Sequence, residues 1–349
     1  MSKRSKKMKE RVKQIVFTGI NKAELIDHGI VDFSNIGDNE VVIRNVYTTV
    51  SCGTERANIT GDLNVGVNIE TTPHFPRTSG YSNAGIIVKT GKNVQSVKVG
   101  DRVVTCWGKH QNFRLEKENM VVKMPDNVSM QDGALAFIST FPLAAIRKTN
   151  LEIGEPAIVV GLGILGQVAI RLLRAGGAAP IVAIDPIKER REDALKGGAD
   201  FAFDPTEEGF SEKVKEVTGG GANVAIEVTG LGAGLNTALD CMAKFGRVAL
   251  LGCTRNSDFS IDYYRKVHIP GITLVGAHTN ARNHDATFHG NYTHADDIKA
   301  ALKLLSGGRM NFDGIVKEVH TPEECPEVYT RLVFDKNFPI GVQFKWSEE

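Results

Sequence analysis

The sequence has no cysteine pair at C-x-x-C spacing, few aromatic residues and almost no net charge. Its five cysteines, Cys52, Cys106, Cys241, Cys253 and Cys325, are scattered and odd in number. That argues against a disulfide framework and against a four-cysteine zinc lobe. A net charge of +1 leaves no global field to attract nucleic acid or an anionic membrane. No apolar run reaches the roughly 18 residues that a membrane span needs. Ile15-Val16-Phe17, after the basic start, is too short for the core of a signal peptide. These absences point to a cytoplasmic protein whose partner is a small polar molecule rather than nucleic acid or lipid. The basic residues that do cluster, Lys3, Arg4, Lys6, Lys7, Lys9, Arg11 and Lys13, read as a frayed, solvated tail.

What is present is a globular composition, 42% hydrophobic and 24% charged over 349 residues, long enough for two domains. The first 140 or so residues read as short strands. Val41-Val42-Ile43 and Val46-Tyr47-Thr48-Thr49-Val50 are β-branched and alternating, and Gly85–Val88 and Arg102–Thr105 repeat the pattern. Gly91-Lys92-Asn93 and Gly100-Asp101 supply turns between them. Apolar residues from Gln131 to Arg147 have helical spacing. From Ala157 to Gly276, short apolar runs alternate with helical patterns. Strands are expected at Ala157–Gly161, Pro180–Asp185, Asp200–Phe203, Val224–Val228, Arg247–Leu251 and Thr273–Val275. That alternation implies an α/β fold with a doubly wound parallel sheet covered on both faces. The remainder reads as a helix at Ile298–Leu305, a strand near Ile315, a helix over Glu324–Phe334 and a last strand at Val342–Trp346.

The most informative segment is Gly161-Leu162-Gly163-Ile164-Leu165-Gly166, with G-x-G-x-x-G spacing between a strand and a helix. In that context the first glycine makes a tight turn and the second lets backbone approach a pyrophosphate. The third lets helix and strand pack closely, and the helix N-terminus offers N–H groups to the phosphates. The second strand ends in Asp185, whose carboxylate suits adenosine ribose hydroxyls and repels a 2′-phosphate, which favours NAD over NADP. Arg190, one helical turn on, lies within reach of the same ribose. Thr229 after the fourth strand, Gly252 and Cys253 after the fifth, and Ala277 and His278 after the sixth stand at strand carboxyl ends, where a doubly wound sheet binds its ligand.

With these residues in place, the chain resembles the medium-chain dehydrogenase/reductase superfamily, zinc-type alcohol dehydrogenase-like, from about Gln14 to Trp346. The carriers are Cys52-Gly53-Thr54-Glu55, Gly85 with Gly91, Val99–Val103, the glycine loop with Asp185, Gly198-Ala199-Asp200, Glu227–Gly230, Gly246-Arg247-Val248 and Gly276-Ala277-His278. Ser51–Glu55 and Gly276–His278 suggest the sorbitol/threonine dehydrogenase-like branch. The resemblance implies a GroES-like β-domain over residues 1–140, completed by 280–349, and a Rossmann domain over 141–279. It places the substrate between the domains and implies a homodimer or homotetramer. Catalytic-zinc members use a cysteine, a His-Glu pair after a glycine, and a third Cys, Glu or Asp. Here Cys52 matches the first, but the pair reads Gly80-Tyr81-Ser82 and the third region Ala136–Phe141 offers no good ligand. A catalytic zinc needs three protein ligands, so the expectation is no metal, with His74 or His110 as the conceivable substitutes.

Hydride transfer then needs another group to handle the proton on oxygen. Tyr81 occupies the vacated ligand position and is the first candidate for acid and base. The resemblance gives Thr54 contact with the reacting oxygen and Glu55 a supporting acidic position. It also places Lys109 and His110 on a loop bordering the substrate pocket, as donors to the oxyanion. Cys52 is read alternatively as a small buried thiol. The stretch Asn280 to His294 is rich in polar groups (Arg282, Asn283, His284, Asp285, His289, Asn291, Tyr292, His294) and reads as a loop that offers hydrogen bonds to a polyhydroxylated substrate. The combined expectation is a zinc-independent, NAD-dependent dehydrogenase acting on a secondary alcohol of a sugar, cyclitol or other polyol. The rival readings are a zinc-free quinone or enone reductase and a non-enzymatic NAD(H)-binding protein.

Overall fold

In the computed structural model, the described residues are 8–62, 73–255, 257, 259–283, 287 and 292–349. The chain divides into two compact units, one of residues 1–138, 298–306 and 316–349, the other of residues 139–297 and 307–315. This differs from the sequence-based division after residue 279, because residues 280–297 and 307–315 stay with the second unit.

The first unit is built on alternation. Glu40–Thr49 buries Val41, Val42, Ile43 and Val46, and it forms one strand where two were expected. Register shifts between Val42 and Ile43 and between Asn45 and Tyr47 absorb the interruption in the pattern, as a bulge does. This strand is central to a seven-stranded sheet. In order, the sheet runs Glu318–His320, Val342–Lys345, Glu40–Thr49, Ser82–Thr90, Arg102–Thr105 and Val121–Lys123, with Phe113–Lys117 also paired to Glu40–Thr49. The C-terminal strand lies antiparallel to Glu40–Thr49, with Phe344 opposite Thr48.

The basic start is corrected from Lys9 onward, while Lys3, Arg4, Lys6 and Lys7 lie outside the described residues. Lys9–Gly19 is a strand, paired antiparallel with Lys22–Asp32. Val12, Ile15, Val16 and Phe17 are buried. The charges between them are matched across the surface, Arg11 with Asp27 at 2.6 Å and Lys13 with Glu323 at 3.0 Å. The apolar run outweighed the local charge density, because Ile15, Val16 and Phe17 are buried in succession while the charged side chains of Arg11 and Lys13 reach the surface.

The second unit carries a parallel sheet in the order Phe201–Phe203, Ile181–Ile184, Ala157–Val160, Ala222–Glu227, Met242–Leu250, Thr273–Gly276 among the described residues. This is a doubly wound sheet whose order reverses between Ala157–Val160 and Ala222–Glu227. Both Ala157–Val160 and Ile181–Ile184 are buried throughout, which is why they read as unbroken apolar runs. The helical pattern from 131 to 147 resolves into two helices, Met130–Ala136 and Thr140–Lys148.

Candidate active site and cofactor cradle

The glycine loop sits at the point where the strand order reverses, the usual ligand crevice of such a sheet. Gly161 has φ +93°, a left-handed conformation that only glycine adopts without cost. A Cβ on Gly166 would lie 2.0 Å from the Gly161 carbonyl oxygen, so its absence is what lets the helix Ile164–Gly176 close on the strand. A Cβ on Gly163 would meet nothing within 4 Å. The loop therefore leaves open space at its second glycine and none at its third. Gly163 is the helix N-cap and no side chain caps it, so the first N–H groups lie at the positive end of the helix dipole without a side-chain partner at the cap. Asp185 is buried and accepts N–H bonds from Leu162 and Ile187, both at 2.8 Å. The carboxylate thus ties the loop to the end of the second strand and keeps acceptor capacity for ribose hydroxyls. The Arg190 guanidinium stands 3.8 Å from it.

Across the reversal point, Glu227 is 3% exposed and accepts from the Thr229 N–H at 2.7 Å, from the Gly230 N–H at 3.1 Å and from the Thr229 hydroxyl. Burial pushes its carboxyl above the usual range, against the pull of those bonds. Sequence reasoning placed Glu227 at the crevice without a role; the structure makes it the staple of the Thr229 turn, which packs on Gly161. The amides of Leu251 and Gly252 both bond the Glu227 carbonyl at 2.9 Å, while Cys253 beyond them is exposed. Ala277 is buried, with its N–H on the Leu250 carbonyl at 3.2 Å. His278 is exposed and accepts the Asn280 N–H at Nδ1. Partial burial, then Arg255, hold its imidazole below the usual value.

In the first unit the candidate residues gather around Glu55. This carboxylate, 1% exposed, accepts the Tyr329 hydroxyl at 2.5 Å and the Ser51 N–H at 2.7 Å, and its Oε2 lies 3.2 Å from His110 Nε2. His110 Nδ1 pairs with Thr48 Oγ1 at 2.6 Å, and Thr48 also accepts from Trp346 Nε1 at 2.9 Å. His110 is fully buried with both ring nitrogens engaged, which corrects its expected role as a donor to substrate. Burial, then the adjacent Glu55, raise the Tyr329 phenol well above its ordinary value. Neither Thr48, Tyr329 nor Trp346 was legible as part of this cluster, because Tyr329 and Trp346 lie far from Glu55 in sequence and Thr48 joins it only through the distant His110.

Tyr81 is different. It is half-buried, its hydroxyl is hydrogen-bonded to Ser51 Oγ, and its ring packs edge-on to Trp107 at 5.9 Å and Phe137 at 5.8 Å. Trp107 holds an uncommon left-handed φ of +54° and is more than a third exposed. Thr54 is half-buried on the helix Cys52–Thr60, and Lys109 is half-buried, its ammonium destabilised by burial and by Arg114. The Cys52 thiol faces the carbonyls of Pro339 and Ile340, each at 3.7 Å.

Comparison with known proteins agrees with this architecture. Residues 37–149 match the alcohol dehydrogenase GroES-like domain, and residues 165–291 match the zinc-binding dehydrogenase family. L-threonine 3-dehydrogenase of Caldanaerobacter subterraneus is 32% identical over 74% of this chain and 80% of its own. D-guloside 3-dehydrogenase of Escherichia coli is 26% identical over 74% and 75%. The crystal structure of 2R,3R-butanediol dehydrogenase from Bacillus subtilis superposes with a TM-score of 0.79 at 22% identity, covering 96% of this chain and 99% of that one. The chain belongs to the zinc-type alcohol dehydrogenase-like branch of the medium-chain dehydrogenase/reductase superfamily. It is an oxidoreductase of the alcohol dehydrogenase type that uses a nicotinamide cofactor.

As a member of that family it departs from the zinc-holding pattern in its donor chemistry. Where such members place a His-Glu pair, Tyr81 bonds Ser51 and the Ser82 hydroxyl donates to the Ala134 carbonyl at 2.6 Å. Ala136, Phe137 and Ile138 are buried apolar residues. Among the described residues, no three His, Cys, Asp or Glu side chains stand together as a metal set.

The polar stretch near residue 290 is corrected in part. Arg282 is buried, donates to the Thr140 carbonyl at 2.8 Å and pairs with Asp297 at 3.0 Å. His294 pairs with the hydroxyls of Thr140 and Thr279, and Tyr292 covers the Arg147 guanidinium at 3.9 Å. These side chains are committed to the second unit itself. Burial pushes the Asp297 carboxyl up to about 6 although Arg282 and Arg147 pull the other way. His284, Asp285, His289 and Asn291 lie outside the described residues.

Proposed function

We propose that this protein is an NAD(H)-dependent, zinc-independent dehydrogenase that interconverts a secondary alcohol and a ketone on a sugar, cyclitol or other polyol. The observation that carries this reading is the Tyr81 phenol, hydrogen-bonded to Ser51 in the position where zinc-holding relatives have a histidine ligand. The bound cofactor supplies the hydride acceptor or donor. Gly161, Gly163, Ile164, Leu165 and Gly166 cradle its pyrophosphate, and Asp185, with Arg190, holds the adenosine ribose. Thr229, Gly252, Cys253, Ala277 and His278 line the rest of the crevice. In the oxidising direction Tyr81 takes the hydroxyl proton of the substrate, with Thr54 as a second hydroxyl partner and Lys109 as a nearby cation. Glu55, His110 and Cys52 shape the site without touching substrate. The polyol class is supported by the relative named D-guloside 3-dehydrogenase, and NAD over NADP by the carboxylate of Asp185.

The test is a panel of polyols and cyclitols with NAD or NADP, read at the absorbance of the reduced cofactor, with and without a chelator. The expected result is turnover that prefers NAD, survives chelation, and falls about 100-fold in Tyr81→Phe. Tight NADH binding without turnover across the panel would mark a binding protein. Loss of activity with the chelator, restored by zinc, would overturn zinc independence.

The reading extends to assembly and place. Among the described residues the strand Thr273–Gly276 ends the parallel sheet and pairs on one side with Met242–Leu250, while Leu274 and Phe245 are exposed. Such an edge invites a second copy, so the protein is proposed to be a homodimer or homotetramer, testable by light scattering. Five free cysteines suit a reducing cytoplasm. Among the described residues no helix is long and apolar enough to cross a membrane, and the near-zero net charge favours no nucleic-acid partner.

A further inference from the structure

The serine that starts the helix Cys52–Thr60 does not cap it. An N-cap serine ordinarily turns its hydroxyl onto a backbone N–H two or three residues on, and Ser51 makes no such bond. The helix start is held by Glu55 instead. Its Oε1 accepts the Ser51 N–H at 2.7 Å, and the Glu55 N–H returns to the Ser51 carbonyl at 2.8 Å. Glu55 is itself immobilised by Tyr329 and His110. Ser51 is 4% exposed, and its hydroxyl, thereby released from its local duty, faces the phenol oxygen of Tyr81. Trp107 and Phe137 hold the Tyr81 ring from its edges, so both partners of this bond are positioned independently. A local rule broken while the surroundings are fully ordered marks a contact with a job other than folding.

We propose that Ser51 is a positioning residue for hydride transfer, its hydroxyl donating to the Tyr81 oxygen whenever that oxygen is a phenolate. This rests on the reading of Tyr81 as the acid–base group. In the oxidising step, the C–H electron pair leaves with its hydrogen as hydride to the oxidised nicotinamide. The substrate O–H bond breaks, its proton forms the phenol O–H of Tyr81, and the oxygen electron pair becomes the second bond of the carbonyl. Ser51 makes and breaks no covalent bond; a charge-assisted hydrogen bond from it favours the phenolate that begins the step.

The experiment is a near-ultraviolet tyrosinate titration of the full chain. Subtracting Tyr81→Phe isolates one of six tyrosines, and the same subtraction is repeated in a Ser51→Ala background. The expected result is a Tyr81 midpoint about one unit, or tenfold, higher without the serine hydroxyl. The pH profile of kcat on the best substrate of the panel shifts upward alongside, with KM little changed. Ser51→Thr, which keeps the hydroxyl, restores both. Should Ser51→Ala fail to fold, Ser51→Cys compared with Ser51→Thr replaces it, the thiol being a weak donor and expected to raise the midpoint. Full turnover by Tyr81→Phe would overturn the reading of Tyr81 and the role of Ser51 with it. Loss of turnover in Tyr81→Phe, with an unmoved midpoint and pH profile in Ser51→Ala, would overturn the role of Ser51 alone.

Discussion

The two units build their candidate sites from opposite materials. The second uses backbone: a left-handed glycine, a close helix–strand approach and uncapped N–H groups, with Asp185 and Glu227 bracing the turns. The first uses side chains: Glu55, His110, Tyr329, Thr48 and Trp346 form a buried network beside the Ser51–Tyr81 pair. A backbone site depends on the chain path and on the open space beside it, whereas a side-chain network depends on every member, because each buried polar group left without its partner carries a desolvation penalty.

The sharpest way to break this comparison is within the glycine loop. Gly163→Glu adds a charged side chain where a Cβ meets no atom within 4 Å. It should melt like the wild type and lose NADH affinity by roughly 100-fold or more, as a carboxylate repels the pyrophosphate. Gly166→Val, by contrast, drives a side chain against the Gly161 carbonyl and should lower stability as well as affinity. Calorimetric titration with NADH beside thermal melts separates the two; equal melting temperatures for both variants would refute the close-packing argument. In the other unit, Glu55→Ala strips the partner from Tyr329, His110 and the Ser51 N–H at once. A loss of about 3 kcal/mol by denaturant unfolding is expected, and a loss of only a few tenths would show the network to be dispensable.

Asp185→Ala should have a smaller effect, about a tenfold weakening of NADH with the discrimination against NADPH narrowed; unchanged ratios would move the ribose contact elsewhere. The smallest effect belongs to the surface cluster of the first unit. Burial lowers the His320 imidazole, but its bonds to Glu318 and Glu324 outweigh this and raise it above the usual value. The stabilisation is therefore complete below the unfolded value of 6.5 and is lost as pH rises through the folded one. Glu324, pulled down to about 2 first by its bond to His320, contributes above the unfolded 4.5 and loses this as pH falls toward 2. His320→Gln should flatten the slight fall in melting temperature above neutral pH; an identical fall in the variant would assign it to another group.

Much of the second unit could be read in advance, since its strands are short apolar runs buried on both faces and its glycines have fixed spacing. The errors arose where distant partners decide. Charge density suggested a solvated start, yet Lys9–Gly19 is a strand because Val12, Ile15 and Phe17 found a core. His110 looked like a loop donor, and burial against Glu55 and Thr48 removed it from substrate. Ser51 entered only as part of the Ser51–Glu55 string, because its pairing with Tyr81 lies 30 positions away.

By itself, the order of residues determined the parallel sheet, the tight glycine loop and the carboxylate that follows it, because these depend on local periodicity and on glycine backbone freedom within a few residues. Only the tertiary structure decided which histidine is available, what Glu55 holds, and which hydroxyl faces Tyr81. The bonds of Ser51 to Tyr81, of His110 to Glu55 and of Tyr329 to Glu55 join residues separated by 30 to 274 positions, and burial and hydrogen-bond geometry at that range are set by how the elements pack.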